Sequence, residues 1–359
     1  DLLRLMLTLL FLFLFISFLS CISGVERKML TDGEYISRER TSTINGFFIW
    51  IVFACHLSQY TSDYLMCDAW ITRLLMTLGQ CIVATFFFFS GYGIMSSLRN
   101  KEGYASQLVK KRFLSLLLHM SLAVMLFYVV HLWYGREYEC LTVFMSFFGW
   151  RSIGNSNWFI FVTLLSYLFI TLSYRLCRRF GEFAIVVGVA VLFAVYVILA
   201  RYRGGWWVDT CMCIPAGMLF FIWRPTIEKI LNGLRMPVWL IGVLMVALGW
   251  KIYGVHFLLV YSNIPTVIFA MGVCLTFSCI RMRKIPAFLS WSGGPALFTL
   301  YIFQRIPMII GVNEGLKDSY PQVYILCCLL GTLFLGWLGM KFFSALDKLI
   351  FRVKDNKVH

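Results

Sequence analysis

The feature that most constrains this chain is a succession of apolar runs separated by short links. The runs lie at 2–23, 44–60, 70–98, 113–134, 158–174, 183–200, 206–223, 237–252, 255–280, 287–311 and 322–346. A helix of about 20 apolar residues covers the hydrocarbon core of a bilayer. There, with no water to help, a helix satisfies its own backbone hydrogen bonds. The fold class that follows is all-α, a polytopic transmembrane helix bundle of about ten or eleven helices. The whole of 1–359 reads as a single integral membrane domain, with a core at 40–346 and a tail at 347–359. The run at 2–23 reads as an additional helix or signal anchor, since no small-residue cleavage site follows it.

The links carry a second signal. Those at 24–43, 99–112, 175–182, 224–236, 281–284 and 347–359 hold 22 Lys and Arg, and the intervening ones hold 6. Rich and poor links alternate without a break, so the positive-inside rule makes the rich set and the C-terminal tail cytoplasmic. The expected location is the inner (plasma) membrane, multi-pass. The net charge of +15 therefore reports topology, and nucleic acid is excluded as a partner because the basic residues punctuate apolar runs. The composition agrees: 14% of residues are charged, against about 25% in soluble domains. Most of the 12 cysteines fall inside apolar runs and act as small hydrophobes. Cys67 and Cys140 would both lie outside and could pair. No zinc-type spacing occurs, so no metal is expected.

Ionisable side chains inside a membrane are costly and mark function by default. His56, Asp209, Gln304 and Arg305 fall at similar depth in the outer halves of their runs. Asn155, Asn157 and Trp158 reach the same level from the longest outer link, 135–157, whose apolar stretch 141–150 is too short to span and reads as interfacial or re-entrant. Each also has a plainer reading: His56 as a hydrogen-bonded core histidine, Arg305 as a snorkelling or Asp209-neutralising cation, Trp158 as an interface anchor. On the cytoplasmic side, Lys110, Lys111 and Arg112 close a basic link. They serve topology, or anionic lipid, or an anion site for a phosphate-bearing donor. Ser90-Gly91-Tyr92-Gly93 ends the preceding run near that side.

Several of these pieces, taken in order, resemble the membrane-bound acyltransferase-3 family, O-acyltransferases of surface polysaccharides. They are NGFFIWIVFACH at Asn45–His56, FFFFSGYG at Phe86–Gly93, KKRF at Lys110–Phe113, GNSNWFIF at Gly154–Phe161 and SWSGGPALFTLYIFQRIPM at Ser290–Met308. Asn45 stands where the family has a basic residue eleven positions before the histidine, and Arg38 or Arg40 could substitute. Gln304-Arg305 stands near the place of a late histidine. The resemblance implies transfer of an acyl group, by default acetyl from acetyl-CoA, to a polysaccharide or lipid-linked glycan of a bacterial cell envelope. His56 would be the general base, with Asp209, Gln304 and Arg305 assisting. Asn155, Asn157 and Trp158 would bind the sugar. Asn45, Arg38, Arg40, Ser90, Lys110, Lys111 and Arg112 would hold the donor. A transporter or flippase of lipid-linked sugar, or a non-catalytic receptor or scaffold, remains open, as does a homo-oligomer.

Overall fold

The structure is a computed structural model that describes residues 12, 13, 15–30, 34–61, 69–255, 262–283 and 286–351. Twelve helices carry the described architecture: α1 Arg38–Thr61, α2 Ala69–Asn100, α3 Tyr104–Trp133, α4 Cys140–Phe147, α5 Trp158–Cys177, α6 Glu182–Ala200, α7 Cys213–Asn232, α8 Val238–Val255, α9 Asn263–Ser278, α10 Ala287–Gly293, α11 Leu297–Asn313 and α12 Pro321–Phe351. Among the described residues, six segments are long and apolar enough to cross a membrane, or seven if α10 and α11, bent by 68°, form one span. The protein is a polytopic membrane helix bundle.

Eleven apolar runs resolve into fewer long spans for identifiable reasons. Half of 2–23 lies outside the described residues, as do Cys67 and residues 352–359. The run 206–223 begins in a 3-10 turn, Gly205–Trp207, and becomes helical only at Cys213. Its helix ends in charged turns containing Arg224, Glu228 and Lys229. Helices α8 and α9 are shorter apolar elements. The run 287–311 is broken at Gly294-Pro295, where proline cannot donate to the preceding turn.

Burial sorts the spans in a way opposite to their hydropathy. The spans of α1 and α2 have mean hydropathies of 1.3 and 1.6, and each is 72% buried. The span containing α6 reaches 2.9 and is 39% buried. The less apolar helices are thus central, and the most apolar face outward with side chains such as Val191, Ile198 and Leu199 exposed. Such a surface suits lipid. Close approaches hold the centre together. A Cβ on Gly46 would collide with the Leu289 carbonyl of α10, and one on Gly293 with the Ser42 carbonyl of α1. Gly91 and Gly217 likewise bring α2 and α7 backbone to backbone. Small residues at such crossings are the usual route to tight packing in membranes.

The basic links are tied to one another. Strand β1, Ile22–Val25, pairs antiparallel with β2, Ile280–Met282. Phe18 stacks on Phe47 of α1 at 5.0 Å, and Arg40 donates to the Ile280 carbonyl at 3.0 Å.

Candidate functional site

Helix α1 runs unbroken from Arg38 to Thr61, so Asn45 and His56 are separated by eleven residues, roughly 16 Å along one axis. His56 lies in the half away from the basic links. Its neighbour across the bundle is Tyr301 of α11, with ring centroids 6.0 Å apart. The Gln304 carboxamide also faces it. Among the described residues, His56 Nδ1 is buried and meets no partner at hydrogen-bond geometry. An orphaned ring nitrogen of this kind is costly in a structural histidine.

A cavity of about 360 Å³ opens beside the His56 ring. His56 and Gln59 line it from α1, Gln80 from α2, Tyr253 from α8, Tyr301 and Arg305 from α11, and Ser152, Asn155, Asn157 and Trp158 from the link into α5. Arg305 donates to Gln59 Oε1 at 2.6 Å, and its guanidinium lies 6.0 Å from the Tyr60 ring centroid. Arg305 Nε is buried and without a partner. The cavity therefore holds a histidine and a guanidinium that keeps donor capacity for an incoming oxygen.

The loop 148–157 is shaped by its own side chains. Asn155 Oδ1 accepts the backbone N–H of Ile153 at 3.1 Å, and Ser152 Oγ donates to the Asn155 carbonyl at 2.6 Å. Asn157 Nδ2 donates to the Gly149 carbonyl at 2.9 Å. Gly154 has φ +99°, and a Cβ there would stand 2.9 Å from His131 Nε2. The glycine is required twice over, by its dihedral and by the packed histidine. The result leaves Asn155 Nδ2 buried and unpaired while Asn155 lines the cavity.

Asp209 sits behind the cavity wall. It is 2% exposed. Tyr253 donates to its Oδ2 at 2.5 Å and Gln80 Nε2 to its Oδ1 at 2.7 Å. Thr266 caps its carbonyl at 2.7 Å. These partners are neither His56 nor Arg305, so Asp209 positions the lining residues Gln80 and Tyr253. Gln304, 1% exposed, donates to the Tyr301 carbonyl at 2.9 Å and lies against Ile49, Trp50 and Phe53. It faces His56 from within the packing and does not line the cavity.

The remaining sequence candidates lie elsewhere. Arg38, Ser90, Lys110, Lys111 and Arg112 are exposed, the last three in a π-helical turn, Val109–Phe113, at the start of α3. Arg40 is committed in part to Ile280, and Asn45 Oδ1 is buried without a partner. None of them lines the His56 cavity. The structure also brings in residues not expected from the sequence: Gln59, Gln80, Trp206, Tyr253 and Tyr301. Gln59 and Gln80 are legible in the sequence as polar side chains inside apolar runs. Trp206 is 47% exposed at the cavity, and beside it Arg203 is sandwiched between Trp150 and Trp207, 4.4 Å from each ring centroid.

No curated protein and no solved structure matches this chain. The acyltransferase domain model of the acyltransferase 3 family does, over residues 43–341. The matched span takes in α1 through most of α12, and with them every wall of the cavity around His56. This chain, a polytopic membrane helix bundle whose matched span includes the cavity beside His56, thus belongs to the acyltransferase 3 family.

Proposed function

We propose that this membrane acyltransferase moves an acyl group, acetyl by default, from cytoplasmic acyl-CoA to a hydroxyl of a cell-envelope glycan. The observation that carries this reading is the convergence of His56, Arg305, Asn155, Asn157 and Trp158, from three separate stretches of chain, on one cavity. The reading places the protein in the inner membrane with its C-terminus cytoplasmic, following the basic links.

In the proposed reaction the acceptor hydroxyl donates its proton to His56 as its oxygen attacks the thioester carbonyl. His is suited to this because its unperturbed pKa lies near neutrality. The negative charge that develops on the carbonyl oxygen is met by Arg305 and the Asn155 amide, donors already in place. The C–S bond then breaks, the CoA sulfur takes the proton from His56, and ester and free CoA leave. The acceptor sugar would stack on Trp158, with Asn157 in the wall beside it. Lys110, Lys111 and Arg112, with Arg38, Arg40, Asn45 and Ser90, would hold the nucleotide end at the cytoplasmic face. The roughly 16 Å from Asn45 to His56 is comparable to the reach of a pantetheine arm, so the thioester can meet His56 without the nucleotide crossing.

The break between α10 and α11 has a local cause in Gly294-Pro295, and so does not by itself favour a transporter. The deciding experiment is release of CoA from acetyl-CoA by purified protein in nanodiscs, wild type against His56→Ala. Release that falls by about 10²–10⁴-fold in a folded variant supports the reading. Full activity in His56→Ala refutes His56 as the base. Failure of the wild type with both acetyl-CoA and succinyl-CoA refutes transfer from a small acyl-CoA.

A further inference from the structure

His131 does not line the cavity, but it lies directly behind the loop that does. It sits in the last turn of α3 and is 2% exposed. Among the described residues, neither of its buried ring nitrogens meets a partner. An unmet buried polar group is costly, so if packing were all that this position required, an apolar side chain would serve it better.

The loop comes down onto the ring at Gly154. A Cβ on that glycine would stand 2.9 Å from His131 Nε2, 3.6 Å from its Cε1 and 3.2 Å from Ile309 Cδ1 of α11. The carbonyl just before it, that of Ile153, faces the same ring. Ile153 is fully buried. Its N–H is taken by Asn155 Oδ1 at 3.1 Å, but among the described residues no group donates to its carbonyl. An imidazole with a hydrogen to give and a carbonyl with none to accept therefore face one another beneath the loop.

The histidine is itself held from behind. Its carbonyl accepts the N–H groups of Tyr134 and Arg136 at 3.1 and 2.9 Å, and the Tyr138 ring meets the imidazole edge-on with centroids 5.2 Å apart. The same turn is tied to the end of α11, where Tyr134 donates to Glu314 Oε1 at 2.6 Å and Arg136 to Asn313 Oδ1 at 3.3 Å. On α11, Tyr301, Arg305 and Ile309 are spaced by four and share a face. The first two line the cavity and the third meets Gly154. The end of α3 is thus a common support for two walls of the site, the loop and α11.

We propose that His131 is a positioning residue for the reaction at His56. A small movement of the loop onto a bound substrate completes a hydrogen bond from the imidazole to the Ile153 carbonyl. Ile153 in turn holds Asn155 by its carboxamide oxygen, so pinning Ile153 fixes the Asn155 amide at the cavity. His131 acts through Asn155 and touches no reacting atom. The kinetic part of the test rests on the acyl-transfer reading above; the exchange part does not.

The test compares His131→Leu, which fills most of the space without a donor, with His131→Gln, which keeps an N–H at similar reach. Both are made in the full chain in nanodiscs. Removing an unmet polar group should leave H131L folded; where it does not fold, H131F gives the same comparison. With acetyl-CoA as the probe, kcat for CoA release by H131L is expected to fall at least about tenfold. The KM for acetyl-CoA should not change, and H131Q should recover most of the loss. Backbone hydrogen–deuterium exchange across 150–157 should quicken in H131L and stay at the wild-type level in H131Q. Wild-type kcat and exchange in H131L would overturn the proposal, because His131 would then only fill space. A loss that H131Q fails to restore would overturn it equally. Quickened exchange in H131L, in a protein whose wild type releases no CoA, would support the positioning of the loop and remove the acetyl-transfer reading instead.

Discussion

Asp209 offers the sharpest separation between a positioning role and a chemical one. Its carboxylate accepts from Tyr253 at 2.5 Å and Gln80 at 2.7 Å, and both it and Tyr253 are almost fully buried. Asp209→Ala removes two hydrogen bonds to a charged acceptor. Such bonds are worth about 1.5–3 kcal/mol each in soluble proteins, whereas hydrogen bonds within membranes average about 0.6 kcal/mol. Summed, the loss lies between about 1 and 6 kcal/mol. The small exposure of the site leaves little water to replace the lost acceptor, which argues for the middle of that range, about 3 kcal/mol. Gln80 retains its second acceptor, the Trp206 carbonyl at 3.2 Å, so the cavity wall should loosen rather than collapse. Asp209→Asn keeps one acceptor oxygen and should cost about half as much. Thermal unfolding of the detergent-solubilised protein, with CoA release on the same preparations, checks this. Lowered thermal stability in the order Ala, Asn, wild type, with a raised acceptor KM and a kcat for hydrolysis within about tenfold of wild type, is expected. An Asp209→Asn protein of unchanged stability whose CoA release falls as far as that of His56→Ala would refute the argument, because it would require Asp209 to act on the histidine.

Three further expectations follow from the same geometry. Arg305→Lys retains the charge but loses the planar fork that reaches Gln59; single-turnover measurements should show kcat reduced by about 10²-fold, with donor binding unaltered. Gly293→Val places a branched side chain against the Ser42 carbonyl and the Gly46 nitrogen; the helices cannot cross, and size-exclusion chromatography should show loss of the monodisperse species, whereas the same change at Gly93, where a Cβ meets nothing within 4 Å, should be tolerated. Replacing Lys110, Lys111 and Arg112 together by Gln should raise the KM for acetyl-CoA and flatten its dependence on ionic strength; an unchanged KM would remove these exposed residues from the donor site.

Position along a helix was enough to foresee which of the polar groups would come near one another. His56 and Arg305 lie at matching depth in their runs, and Asn155, Asn157 and Trp158 enter from a link on the same side; the structure gathers all five at one cavity. Depth could not say which neighbour each group would meet. Asp209 shares that depth, yet its partners come from α2 and α8. Gln304 is adjacent to Arg305 in sequence but is turned into packing against α1. Tyr301 faces His56 with nothing in its local sequence to mark it among 17 tyrosines. The basic residues of the α3 start were legible as a cluster, but their relation to the His56 cavity is one of distance along the membrane normal rather than of contact.

What the sequence by itself determined is what the bilayer imposes on each segment separately: which stretches are apolar, that they fold as helices, and that the charged residues gather in the links between them. Those follow from the cost of moving backbone and side chains into hydrocarbon, a cost each segment bears alone. Only the tertiary structure decided that the less apolar α1 and α2 are central, that Gly293 of α10 meets Gly46 of α1, and that Gln59, Gln80 and Tyr253 complete the wall around His56. Those choices are made helix against helix, in surroundings where lipid is as apolar as a leucine. There, shape and hydrogen bonding select the neighbours, and neither has a periodic signature in the chain.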